Sequence, residues 1–434
     1  MKADAGQIGR ALDKPDAAVR LILLYGPDES GSRALAARID KALGSDAERI
    51  DLSSAQLKGD PALLADEAAS ISLFGGARHI RVDPATDESI EAAEALLEAG
   101  TAGNPVVLVA GNLRKDAKLV KLALASPLAL AFASYLPEGQ AADRVAIDLA
   151  RAAGLRLRVL NERACAKLGM GCLLAVGRAS PRRPRMLVLE LPGKGSEAPL
   201  AICGKGVCFD TGGLNIKTGD GMLLMRKDMG GAAAALCALA AATGSQRRTV
   251  RAYLPLVENA ISGEAFRPGD VLRAMDGTTV EIGNTDAEGR LILADAIALA
   301  RREGAGRIVS VATLTGAAMT ALGRVHVPLM ATDDSLADDL LGSARATGEK
   351  LWRLPLDAEH RAMVRGQVAT LNNAPGGGEA GCITAGAFVA HFAGSTPFAH
   401  LDISPASWMP KPWDLGPPGA TGTIVTTLAR LACG

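Results

Sequence analysis

Residues 284–291 read NTDAEGRL. Asp286, Glu288 and Arg290 stand directly before a segment in which Leu291, Ala294, Ile297 and Ala298 recur at helical spacing. Charged groups at the mouth of such a helix lie where open α/β sheets bind ligands, beyond the carboxyl ends of their strands. A helix N-terminus also attracts anions, and an arginine there adds a bidentate donor fork.

The surrounding sequence supports that architecture. Apolar runs at 199–204, 249–257 and 307–314 are expected strands, and 232–243, 289–302 and 336–347 are expected helices. Strands alternating with helices define an α/β domain with a mainly parallel sheet. The first part of the chain has the same habit. LILLY at 21–25 and PVVLVA at 105–110 are expected strands, and 32–43 is an expected helix. A helix over 141–153 stops at Gly154, and a strand follows over 155–160. All seven cysteines and all three tryptophans lie after residue 160, which points to two domains of different origin.

Composition narrows the function. A chain of 434 residues has room for two cores, and a formal net charge of zero argues against a bulk basic surface for nucleic acid. The start, MKADAGQIGR, lacks the apolar core of a secretory signal, and the apolar run 232–242 is too short to span a bilayer. Cysteines without CxxC spacing suggest reduced thiols in a cytoplasmic protein.

Three charged clusters accompany NTDAEGRL. GKGVCFDTGG at 204–213 carries Lys205 and Asp210, Lys217 follows, and MRKDMGG at 225–231 carries Asp228. If the clusters converge, Asp210, Asp228, Asp286 and Glu288 place four negative charges in one cleft, and carboxylates so close require counter-charge. Two divalent cations would supply it. Lys205 could join them only as a neutral amine, which a neighbouring cation permits. Oxygen ligands plus one amine suit manganese or zinc. Such a pair activates water and grips a tetrahedral intermediate. Lys217 would polarise a substrate carbonyl, and Arg290 would hold an anion or the reacting group.

In this order the clusters resemble the leucyl aminopeptidase family of cytosolic two-metal exopeptidases. The likeness runs from about residue 155 to the C-terminus, entering at KLGMGCLLAVGRAS (167–180) and closing near GATG (419–422). It implies an α/β/α domain over 158–434 with a mixed eight-stranded sheet. It assigns Lys205, Asp210, Asp228 and Glu288 to the tighter metal, and Asp210, Asp286 and Glu288 to the exchangeable one. It makes Lys217 the catalytic lysine and gives Arg290 a bicarbonate as general base. Met225, Thr313, Leu314 and Gly316 would line the pocket for an apolar first residue of a peptide. The family also implies a homo-oligomer, usually a hexamer. Three segments depart from its pattern: Thr218 where proline is common, Asn372-Asn373 for Lys-Asn, and Ser404-Pro405 for Ala-Gly.

The first part poses a separate question. GPDESGSR at 26–33 has the two glycines of a phosphate loop, but Ser32 stands where that loop needs lysine, and Arg33 comes one position late. Together with DPALLADEAASISLFGGARHIRV and PVVLVAGNLRKDAKLVK, the loop resembles the N-terminal domain of the delta subunit of the bacterial DNA polymerase III clamp loader. The likeness implies a degenerate P-loop ATPase-like α/β domain over 1–157, with Ser72, Leu73 and Phe74 as a wedge for a sliding clamp. The leading expectation is a metal-dependent leucyl aminopeptidase. The alternative is a non-catalytic replication module that binds the clamp.

Overall fold

The computed structural model describes residues 2–16, 18–44, 46–71, 76–111, 113–135, 140–219, 221–242, 246–376, 378–413 and 416–434. By contact the chain divides into two units, Met1–Gln140 and Ala141–Gly434.

In the first unit, strands β1 (Leu21–Tyr25), β2 (Glu48–Leu52), β3 (Arg78–Val82), β4 (Val106–Val109) and β5 (Ala129–Ala133) form one parallel sheet in the order β2-β3-β4-β1-β5. Strand alternation serves both faces. Leu21, Leu23 and Tyr25 enter one core, and Ile22 and Leu24 enter the other. The glycine-bearing loop leads from β1 into the helix Glu29–Leu43. Asp28 caps that helix by accepting the Gly31 N–H at 2.8 Å, and Arg33 pairs with Asp83 at 2.9 Å.

The second unit begins earlier than 158. The helix Gln140–Ala152 supplies Ala146 and Ala150 to its core, and β6 (Arg156–Leu160) pairs with β7 (Arg185–Leu191). Next come β8 (Leu200–Gly204), β9 (Gly206–Asp210), β10 (Val250–Asn259), β11 (Val271–Arg273), β12 (Thr279–Glu281), β13 (Arg307–Ala312), β14 (Val327–Ala331), β15 (Leu351–Arg353), β16 (Leu371–Asn372) and β17 (Phe398–Asp402). The main sheet follows β15-β14-β17-β13-β8-β10-β7-β6, with β9 also on β10.

This corrects the expected eight strands to nine along an eight-position path. The cause is local. The run 200–210 breaks at Lys205, so β8 pairs with the first part of the long β10 and β9 with its end. Strands β17, β13, β8 and β10 are mutually parallel, while β14 and β7 flank them in the opposite sense. Ala201 and Cys203 face the core that holds the helix Glu288–Arg302. Leu200 and Ile202 face the core that holds the helix Gly230–Ala241. The result is a helix–sheet–helix sandwich. The parallel strands thus bring Lys205, just after β8, Thr313, just after β13, and Asp402, ending β17, to one edge.

Candidate functional site

Lys205 sits at the break between β8 and β9 and is 4% exposed. Its ammonium donates to Asp228 Oδ1 at 2.7 Å and to the Thr313 carbonyl at 3.1 Å, and lies 2.9 Å from Glu288 Oε1. Its stem crosses Gly289. A Cβ there would lie 2.4 Å from Lys205 Cε, so only glycine admits the lysine. Asp210 ends β9 and accepts from Asn259 Nδ2 at 2.9 Å and from the Gly212 N–H at 3.0 Å. Asp228 follows the short turn Met225–Lys227, and the Thr313 hydroxyl donates to it at 2.9 Å. Glu288 opens the helix Glu288–Arg302 with no exposed surface.

Ligand oxygens of Asp210, Asp228 and Glu288 lie within 4.8 Å of one another. Asp228 Oδ2 and Glu288 Oε1 meet only the Lys205 ammonium, at 2.7 and 2.9 Å, and Glu288 Oε2 is buried with no hydrogen-bond partner. Buried carboxylate oxygens are costly when unpaired, and a hard or borderline divalent cation satisfies them. The donor set therefore fits a divalent metal.

The electrostatics agree. Burial pushes Glu288 up to about 8, with Lys205 opposing and Asp210 and Asp228 reinforcing the shift. Burial also raises Asp228, against the pull of Lys205. For Lys205 burial disfavours the charge, but Asp228, Glu288 and Asp210 outweigh it and hold the ammonium above the ordinary lysine range. Protons and lysine charge neutralise these acids, and a cation would compete with both.

Asp286 joins the group through Lys217. The Lys217 ammonium lies 2.7 Å from Asp210 Oδ2 and 2.5 Å from Asp286 Oδ1, and Asp286 is the exposed member. Arg290 is buried, which lowers its guanidinium to about 10, so it stays charged at neutrality. It donates to the Asn373 carbonyl at 2.6 Å and lies 6.0 Å over the Phe388 ring, while its Nε is buried without a partner.

The Met225 sulfur accepts the Asp210 N–H at 3.4 Å. Thr313 touches Asp228, the Leu314 N–H donates to Asp402 at 3.0 Å, and Gly316 opens the helix Gly316–Leu322. Ser72, Leu73 and Phe74 lie outside the described residues.

Two further residues of the site were given no role from the sequence, although Asn373 stands in a pair that departs from the family pattern. Asn373 is fully buried. Its Oδ1 accepts the Gly283 and Asn284 N–H groups at 2.8 and 3.2 Å, and its Nδ2 donates to the Asn284 and Ala287 carbonyls at 2.7 and 3.3 Å. Asp402 takes the Thr315 hydroxyl at 2.7 Å. Both act across long sequence separations that no local pattern reveals. Among the described residues no helix is long and apolar enough to cross a membrane.

Fold and site define an α/β protein with a carboxylate cluster suited to a divalent cation. The catalytic-domain pattern of the cytosol aminopeptidase family matches residues 125–429, and the chain belongs to that family. A probable cytosol aminopeptidase of Solibacter usitatus is 42% identical over 339 residues, covering 77% of this chain and 68% of that protein. One from Brucella melitensis is 45% identical over 287 residues, covering 64% of this chain and 58% of its own length. The chain thus spans little more than half of some curated relatives. Among solved structures, the bottromycin maturation enzyme BotP overlays with a TM-score of 0.64 at 29% identity, covering 90% of this chain and 99% of that one.

Proposed function

We propose that the second unit is a metal-dependent aminopeptidase that releases apolar, leucine-like residues from peptide N-termini. The observation that carries this reading is the buried cluster of Asp210, Asp228 and Glu288 around Lys205 at the carboxyl edge of the parallel strands. Family membership and the names of the relatives support it.

Lys205, Asp210, Asp228 and Glu288 would hold one divalent ion, and Asp210, Asp286 and Glu288 a second, manganese or zinc. Such a pair, when bound, lowers the pKa of water and draws charge from a carbonyl. Lys217 donates to the oxygen of the scissile carbonyl and stabilises its developing negative charge. With a substrate and cations in place, Lys217 exchanges its contacts to Asp210 and Asp286 for that oxygen. Arg290, with its unpartnered Nε, holds an anion such as bicarbonate that accepts the proton of the attacking water. Met225, Thr313, Leu314 and Gly316 surround the first side chain. The free α-amino group of the substrate would be held by one of these cations, which restricts cleavage to the first residue.

Purified protein with added manganese should hydrolyse a leucyl anilide, and Asp286→Ala should not. Absence of metal-dependent release from the unaltered protein would defeat the reading. By family likeness the working form is a cytosolic homo-oligomer, which light scattering tests.

For the first unit we propose the degenerate ATPase-like fold of the clamp-loader delta subunit. Its support is the parallel order β2-β3-β4-β1-β5 and the loop between β1 and the next helix. There Asp28 takes the Gly31 N–H that a phosphate would need. An opposing reading has its own support. The 339-residue alignment and the 90% overlay are too long for residues 141–434 alone, which favours an aminopeptidase-type first unit. Binding of a sliding clamp, lost in Leu73→Ala/Phe74→Ala, would decide for the delta-like reading.

A further inference from the structure

Lys217 is carried by the loop 211–217, and burial does little to hold that loop. Leu214 and Ile216 are 46% and 55% exposed. Gly212 and Gly213, at φ +85° and +65°, turn the chain so that neither side chain packs inward. What ties the loop to the body is polar. The Thr285 N–H donates to Asn215 Oδ1 at 2.8 Å, and the Asn215 N–H donates to Thr285 Oγ1 at 2.8 Å. The Thr285 hydroxyl donates to the Gly212 carbonyl at 2.6 Å, and the Thr285 carbonyl accepts from Asn259 Nδ2 at 3.1 Å. The same Asn259 amide donates to Asp210. Thr285 is fully buried and immediately precedes Asp286, the acid that Lys217 reaches at 2.5 Å.

We propose that the reciprocal Asn215–Thr285 pair is a positioning device that sets Lys217 against the acidic cluster. The proposal rests on the aminopeptidase reading of that cluster. Neither Leu214 nor Ile216 belongs to an apolar core among the described residues, so burial contributes little to the spacing of the two loops. Two backbone N–H groups and two side-chain oxygens, all mutually satisfied, fix it instead. Lys217 follows Asn215 by two residues, and its own N–H returns to the Thr211 carbonyl at 2.9 Å, so the turn that bears the lysine moves as one piece. Loss of the pair frees that turn while every acidic ligand keeps its side chain. A lysine that acts on the developing oxyanion is sensitive to such displacement, because its contact is made mainly in the transition state.

The test uses the full chain. Asn215→Ala should lower kcat on a leucyl anilide by roughly ten- to a hundredfold with KM little changed. Thr285→Val should do the same, and Thr285→Ser, which keeps the hydroxyl, should restore most of the rate. In a Lys217→Ala background, Asn215→Ala should change kcat by no more than about twofold, since the pair would act only through the lysine. Independently of activity, hydrogen exchange of the 212–217 amides in chelated protein should quicken in Asn215→Ala while the helix Glu288–Arg302 stays protected. Unchanged kcat and unchanged exchange in Asn215→Ala would overturn the proposal, as would a full additional loss in the Lys217→Ala background. If the unaltered protein proves inactive, the aminopeptidase reading falls, and exchange alone still decides whether the pair holds the loop.

Discussion

The Lys205 ammonium and the Asp228 carboxylate meet at 2.7 Å, both buried, one from a strand break and the other from a turn before a helix. Lysine in this place offsets three buried carboxylates and would have to surrender its proton to act as a ligand. Lys205→Met should therefore remove the tighter metal and lower kcat/KM by at least about a hundredfold. It should also destabilise the chelated protein, because Asp228 and Glu288 lose their buried counter-charge. Metal analysis and thermal melts with and without chelator check both effects.

Glu288 gives a pH signature. Its folded pKa, about 8, lies above the ordinary value of 4.5, with burial the main cause. The folded state then binds this proton more tightly than the unfolded chain. Its contribution to stability is greatest below 4.5, declines as pH rises, and is lost once pH passes 8. Chelated protein should lose melting temperature across that window, and Glu288→Gln should flatten the loss. Added manganese should restore stability most strongly at the alkaline end, where the carboxylate is ionised.

Gly289→Ala tests how Lys205 is housed. A Cβ would stand 2.6 Å from its Nζ, so the lysine must move. Alanine is a better helix former than glycine, and the helix itself should persist. The expected result is weaker metal binding and roughly tenfold or greater loss of activity without loss of helical circular dichroism.

Asn373→Ala removes four hydrogen bonds that its side chain makes to the loop carrying Asp286 and Glu288. Main-chain groups of Gly283, Asn284 and Ala287 in a partly buried loop would be left unpaired. Unfolding by urea should record a loss of about 3 kcal/mol. Activity should fall as well, since the same loop presents two acids.

Lys217→Ala should reduce kcat by roughly a hundred- to a thousandfold, the scale of losing one oxyanion donor, with a smaller effect on KM. Metal content measured on the same sample should remain near that of the unaltered protein. A large rise in KM at constant kcat would instead mark Lys217 as a ground-state binding residue.

Some of this is legible in the residue order alone. The charged clusters are contiguous and lie beside strands or helices that local pattern exposes, so Lys205, Asp210, Asp228, Asp286, Glu288 and Arg290 could be named from residue order. Strands β13 and β8 were readable because they are short buried apolar runs. The doubling of β8 and β9 was not, since apolar character continues on both sides of Lys205 and only the pairing with β10 marks the break. The start of the second unit was also hidden. Helix, glycine and strand over 141–160 read alike in either domain, and side-chain burial of Ala146 and Ala150 assigns them.

By itself the sequence determined where charged side chains cluster beside strands and helices, because charge type and helical or strand period are local properties of the chain. Tertiary structure alone decided that Asn373 braces the acidic loop, that Asn215 answers Thr285, and that Lys205 threads over Gly289. Those relations join residues far apart in the chain, and hydrogen-bond geometry at such range depends on how the parallel strands bring their ends together.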